Sequence, residues 1–331
     1  MEIYVIQSIS EIVLQDMPQE GIVLHNDCVI RVKNAGVRTV ADAISPQIGS
    51  INANLIKEPG IGNCLQQQSP TPVAEPDARR LLMRSIVLTQ QFLLSLWLIK
   101  DHSANSDEAH MVLLDRPTGS AEVYTQRVPF LITKADCGRT TTTFTKAEVD
   151  QAVAHFRALE VLIPQREWYP DAERHSALVV KSRLYRAIYS AEIARASAEI
   201  GVKIAFYCIA FEALFSTAKE AIAHQIAERA AVLIETDAAA RLAFYQAIKK
   251  VYGIRSTVVH GDALSAEKLA EFKEISRRTD ERLRKAIQRI FAEQVLLDLF
   301  TTKSPQEIEA FFLDRLLASA PPATAGRTPA T

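Results

Sequence analysis

Most of the signatures that announce a chemistry are missing from this chain of 331 residues. The four cysteines, Cys28, Cys64, Cys137 and Cys208, lie far apart and form no Cys-x-x-Cys pair. That spacing argues against a zinc ribbon and against a disulfide framework, and points to reduced, buried thiols in a cytosolic protein. There is no His-Glu-x-x-His helix, no Gly-x-Ser-x-Gly elbow, no phosphate-cradling P-loop and no dinucleotide fingerprint. The carboxylate cluster that a metal-dependent nuclease needs is not evident either, so neither a metal nor another cofactor is expected. Net charge is only -1, so no global field recruits nucleic acid, and any RNA contact must come from a local patch. The longest apolar stretch, Phe92 to Ile99, is far short of the roughly 20 residues of a spanning helix. The opening Met1-Glu2-Ile3-Tyr4-Val5-Ile6 has no basic region before an apolar run, unlike a signal peptide. A cytoplasmic protein without a membrane segment is the expectation.

What is present suits one large or two medium domains, with 48% hydrophobic and 23% charged residues. Gly21 to His25 and Cys28 to Val32 alternate like short strands around an Asn26-Asp27 turn. From Ser45 to Glu75 the many Gly, Pro, Asn and Gln residues read as loop. A long helix is expected after Pro76, capped by Asp77 and ending near Lys100, with Leu81, Leu82, Leu88, Phe92, Leu96 and Ile99 in helical period. His102 and His110 read as surface histidines of a polar loop. Val123 to Ile132 predicts one strand, with Pro129 at an edge, and Thr140 to Phe144 a second. Thr145 with Glu148 forms a capping box for a helix to about Leu162.

Beyond a boundary placed at Pro164–Pro170 the pattern becomes helical. Helices are expected over 174–197, 200–217, 219–235 and 238–252, then a short turn, a long helix over 265–300 and a last one over 304–319. The long helix carries Lys273, Arg277, Arg278, Arg282, Arg284, Lys285 and Arg289 interleaved with acids, which reads as a solvated face with i,i+4 pairs. The tail over 321–331 is Ala, Pro and Thr and is expected to be disordered. The fold class is therefore α+β: a mixed region over 1–170, then an all-α bundle over 171–320.

One stretch carries candidate chemistry: Tyr252-Gly253-Ile254-Arg255-Ser256-Thr257-Val258-Val259-His260-Gly261. Arginine is a permanent cation whose planar fork suits phosphate, and histidine moves protons near neutral pH. Positions five apart diverge by about 140° around a regular helix. Arg255 and His260 therefore converge only if the helix breaks, or if a second copy of the motif faces the first across a dimer. Upstream stand Phe211-Glu212-Ala213-Leu214-Phe215-Ser216, then His224-Gln225-Ile226-Ala227-Glu228-Arg229-Ala230.

This succession, over about 175–300, resembles the Apea-like branch of the HEPN superfamily. The resemblance implies an all-α HEPN bundle that pairs as a homodimer. It also implies a metal-independent endoribonuclease with Arg255 and His260 as catalytic residues, in a toxin or antiphage-defence setting. Histidine would move protons while arginine steadies charge on the phosphoryl group. The RNA's own 2′-hydroxyl would attack and leave a cyclic phosphate. Glu212, in an apolar helix, needs a partner, with Arg229 and Arg255 as candidates for a buried bridge. Tyr252 would stack on a base or sit in the core, and Ser256 would bond a phosphate or cap a short helix. The region over 1–170 would sense a trigger ligand or regulatory protein. A non-catalytic HEPN module that dimerises and binds RNA or protein is the alternative.

Overall fold

A computed structural model describes residues 1–115, 117–127, 131–162, 182–218, 220–259 and 266–317. The first part is an antiparallel sheet built from β1 (Glu2–Ile9), β3 (Ile22–His25), β4 (Cys28–Val32), β5 (Ile61–Gln68), β6 (Glu108–Asp115) and β7 (Ser120–Arg127). Its order is β3-β4-β5-β1-β6-β7, while β2 (Ile12–Leu14) and β8 (Thr142–Phe144) pair separately and in parallel. β1 is buried along both faces because helices cover both. On one face α1 (Ala35–Ile48) and α2 (Ser50–Lys57) cover Tyr4, Ile6, Cys64 and Val112. On the other, α3 (Glu75–Ile99) covers Ile3, Val5, Leu65 and Met111. The hairpin expected around Asn26-Asp27 is present as β3 and β4.

The stretch over 45–75 is not a loop. It holds the end of α1, all of α2 and strand β5. Its polar residues are accommodated inside the fold: Asn63 accepts from the Val29 amide at 3.0 Å and donates to Ser85 and Thr89 of α3 at 2.7 and 3.1 Å. Gly62 is required there, since a Cβ would lie 2.5 Å from the Gln7 carbonyl oxygen of β1. α3 begins two residues earlier than expected, with Pro76 in its first turn and no side-chain cap from Asp77. Of the strand expected over 123–132, β7 holds the part to Arg127, residues 128–130 lie outside the described residues, and Ile132 is buried outside the sheet. The capping box holds: the Thr145 amide donates to Glu148 Oε2 at 2.9 Å ahead of α4 (Lys146–Leu162).

The remainder is helical: α5 (Arg183–Ala196), α6 (Ile200–Phe215), α7 (Ile222–Ile234), α8 (Ala238–Val259), α9 (Ala266–Ala292), α10 (Gln294–Thr302) and α11 (Pro305–Leu317). The boundary at 164–170, the first turns expected from 174 and the tail over 321–331 lie outside the described residues. The single helix expected over 265–300 is two, broken at Glu293. The break lets Leu296, Leu299 and Phe300 turn back onto the core that Ile287 and Ile290 already enter. Part of the basic run of α9 is the solvated face expected, with pairs such as Arg278–Glu274 and Lys285–Glu281 at 2.6 and 2.9 Å, but Arg284 turns inward to the fully buried Asp280 at 2.8 Å.

α3 binds the two parts together. Its first turns lie on the sheet through Ala78, Leu82 and Ile86. Its last turns place Leu94, Trp97 and Leu98 in the same apolar cluster as Phe211, Phe215 and Ile287 of the helical part. By composition α3 is long and apolar enough to cross a membrane, but 67% of its most apolar window is buried within the protein.

Candidate functional site

α6 organises the helical part. Its sequence is apolar on almost every side, which suits a helix surrounded by others. Tyr207, Ala210, Phe211, Leu214 and Phe215 are fully or nearly fully buried. Its last carbonyls are capped by two arginines from neighbouring helices. Arg183 donates to the carbonyls of Ala213 and Ser216 at 3.1 and 2.7 Å. Arg229 donates to the Phe215 carbonyl at 2.8 Å and to Thr217 Oγ1 at 2.9 Å. Cations at a helix C-terminus satisfy orphan carbonyls and meet the negative end of the dipole. Arg229 is thus a cap for α6 and not the partner of Glu212, which corrects one of the two pairings open from sequence.

Arg255 is the partner. Its guanidinium lies 3.2 Å from Glu212 Oε1, with the two side chains 37% and 24% exposed. The contact is a Coulombic one, since Oε1 receives no aligned hydrogen bond. A half-exposed pair of this kind contributes about 1 kcal/mol or less, so the bridge is a positioning contact and not the fully buried pair expected from sequence. Tyr252 donates its hydroxyl to the Cys208 carbonyl at 3.1 Å and packs between two apolar clusters. Burial, and then the neighbouring Cys208 and Glu212, push its phenol well above the ordinary value. That environment favours the core role of Tyr252 over base stacking. Ser256 is exposed on the same end.

α8 is continuous through the motif to Val259, where a separate short helix was expected. An exposed Gly253 weakens a helix interior by about 1 kcal/mol. The packing of Val251 and Ile254 against Ile200, Ile204, Cys208 and Phe272 outweighs it. His260, the second half of the motif, lies outside the described residues.

Beside this end, α6 carries an exposed stripe. Val202 and Ile209 are 38% and 36% exposed, with Ala205, Phe206 and Ala213 half-buried along the same side. The stripe runs into Glu212.

A second polar assembly was illegible in the sequence. Asp280 of α9, fully buried, accepts from Trp97 Nε1 at 2.8 Å, Tyr207 Oη at 3.0 Å and Arg284 Nε at 2.8 Å. Burial, then the charge of Asp280, raises Asp101 to about 6. Arg195 lies over the Trp97 ring and against His102. His102 and His110 are therefore buried, not surface, histidines. His102 faces the Leu93 carbonyl at 2.9 Å and receives the Ala104 amide at 3.0 Å, and burial with Arg195 holds its pKa well down. His110 sits on β6, 2.9 Å from Thr125 Oγ1. Among the described residues no group of three or more His, Cys, Asp and Glu could hold a metal ion. The bonded pair Trp97–Asp280 is separated by 183 residues, a spacing that no local pattern reveals.

The chain matches no protein-family model, no curated protein and no solved structure.

Proposed function

We propose that this protein is an endoribonuclease of HEPN type that acts as a homodimer, with Arg255 and His260 as its catalytic residues, in a toxin or defence setting. The observation that carries the proposal is the α8 end: Arg255 stands half-exposed, oriented by Glu212 from a packed helix, beside an apolar stripe. A packed helix and an ion pair preorganise the guanidinium, as stabilisation of developing phosphoryl charge requires. The stripe of Val202, Phe206 and Ile209 is continuous with that end and suits a second copy related by two-fold symmetry. Two copies supply two histidines. One would take the proton of the RNA 2′-hydroxyl as its oxygen bonds the adjacent phosphorus. The other would give a proton to the 5′-oxygen as its bond to phosphorus breaks. The products are a 2′,3′-cyclic phosphate and a 5′-hydroxyl. The region over 1–170 would regulate the site in response to a ligand or protein.

One observation favours a second reading, a non-catalytic module that dimerises and binds RNA or protein. Glu212 offsets the charge of Arg255 and leaves less of it for a phosphate.

Cleavage of mixed cellular RNA by wild type, His260→Ala and Arg255→Lys, with and without chelator, separates the two. A nuclease gives cyclic-phosphate ends with wild type in both conditions. His260→Ala loses that activity, and so does Arg255→Lys, whose ammonium lacks the planar fork. Equal cleavage by wild type and His260→Ala removes the motif from the mechanism. Stoichiometric RNA binding by all three without cleavage supports the module.

A further inference from the structure

The turn over residues 133–138 comes from the N-terminal part but is bonded chiefly to the helical one. The Thr133 amide donates to the Arg195 carbonyl at 3.0 Å and its hydroxyl to the Ser197 carbonyl at 2.9 Å, both at the end of α5. The fully buried ammonium of Lys203, on α6, donates to the carbonyls of Ala194, Arg195 and Thr133 at 2.9, 3.3 and 3.4 Å. From α9, Ser276 Oγ donates to the Ala135 carbonyl, and Arg277 grips the Asp136 carboxylate at 2.6 and 3.2 Å. At the tip Cys137 adopts a φ of 66° and packs against the cluster of Ile200, Ile204, Cys208, Val251, Ile254 and Phe272.

That cluster is the wall behind the candidate site. Ile254 directly precedes Arg255, Tyr252 is bonded to the Cys208 carbonyl, and Glu212 lies one turn beyond Cys208 on the same helix. One small apolar cluster therefore touches the turn, α6, α8 and α9 together. Close-packed interiors transmit displacement because they hold no slack.

We propose that the 133–138 turn is a strap through which the N-terminal part sets the position and rigidity of the α8 end that carries Arg255. The mechanical link stands on packing alone, while its consequence for cleavage rests on the ribonuclease reading. A strap bonded to three helices and to the loop after α3, through the Ala135 amide and Asp101 Oδ2 at 2.9 Å, is placed to relay a change in the sheet region. Loosened, it leaves α8 free to fray at its last turns, and the Arg255–Glu212 contact goes with it.

The test is hydrogen exchange on the full chain carrying Ser276→Ala and Arg277→Ala. Both positions are helical and alanine is the best helix former, so α9 keeps its local preference. Amides over 251–259 are expected to exchange about fivefold faster or more, as local opening becomes easier, with β1 and β5 unchanged. Arg277→Lys alone should restore most of the protection, because it keeps the charge facing Asp136. If all segments speed up together, Arg277→Ala alone, at an exposed position, supplies the same comparison without global loss. Faster exchange over 131–140 with α8 as in wild type would overturn the strap. RNA cleavage measured on the same samples should fall with α8 protection. An α8 end that responds in a protein that cuts no RNA keeps the strap and removes the nuclease. Cleavage that persists with α8 unmoved does the reverse.

Discussion

Replacing Asp280 with alanine removes the one carboxylate on which two buried donors and one nearly buried one converge. Trp97 Nε1, Tyr207 Oη and Arg284 Nε all point at it from 2.8 to 3.0 Å, and Asp280 itself is fully buried. A buried donor left without an acceptor costs about 1–3 kcal/mol, and breaking a buried ion pair about 3–5 kcal/mol. Arg284 keeps a second bond, to the Ile99 carbonyl at 3.2 Å, and is 13% exposed, so its share falls at the low end. With every term at its low end the total for Asp280→Ala is about 5 kcal/mol, a large part of the roughly 5–15 kcal/mol that holds a typical domain together. Asp280→Asn keeps one acceptor oxygen and should lose about half of that. Urea denaturation followed by circular dichroism measures the change. With an m-value of about 3 kcal/mol/M the midpoint moves down by more than about 1 M at unchanged slope. The double variant Trp97→Phe with Asp280→Ala should lose less than the sum of the singles, by about 1 kcal/mol, because it no longer carries the orphaned indole N–H. A midpoint shift below about 0.3 M for Asp280→Ala, or strict additivity, would show that the donors find other acceptors and that the hub is dispensable.

Burial, and then the charge of Asp280, raises the folded pKa of Asp101 to about 6, above the ordinary carboxylate value of about 4. Its contribution to stability is therefore present below about pH 4 and lost as pH rises through 6. The stability difference between wild type and Asp101→Asn, followed by denaturant titration from pH 4 to 8, should change by about 3 kcal/mol across that window, and a flat difference contradicts the buried placement. Arg229→Ala removes both bonds to the end of α6 and should destabilise by about 2–4 kcal/mol, against well under 1 kcal/mol if Arg229 were a solvated surface charge. Ile209→Glu places a charge in the exposed stripe. Sedimentation at micromolar concentration should show a dimer for wild type and a monomer for the variant, and a monomeric wild type dismisses the interface. A fragment over 171–331 lacks Leu94, Trp97 and Leu98 of the helical core and should give no cooperative melt.

The elements that carry their own periodicity were legible before the structure. The Asn26-Asp27 hairpin, the Thr145–Glu148 capping box and the starts of the helices near 200, 220 and 238 depend on residues a few positions apart, and they appear close to where local chemistry puts them. Arg255 stands out in the sequence on a different ground, an arginine and a histidine flanking an apolar step in a chain with no other site pattern. What failed depended on distant partners. β5 reads as loop because Gly62 and Asn63 are poor strand residues until β1 and α3 close on them. His102 reads as surface because Arg195, its neighbour in space, lies 93 residues away. Glu212 had two sequence candidates, and only the crossing of α6 with α8 chose Arg255, while the same packing gave Arg229 to the carbonyls of α6. Local propensity sets where helices and turns begin. Which charge meets which is decided by tertiary packing, because a buried polar group accepts whatever partner the crossing of elements brings within 3 Å or so.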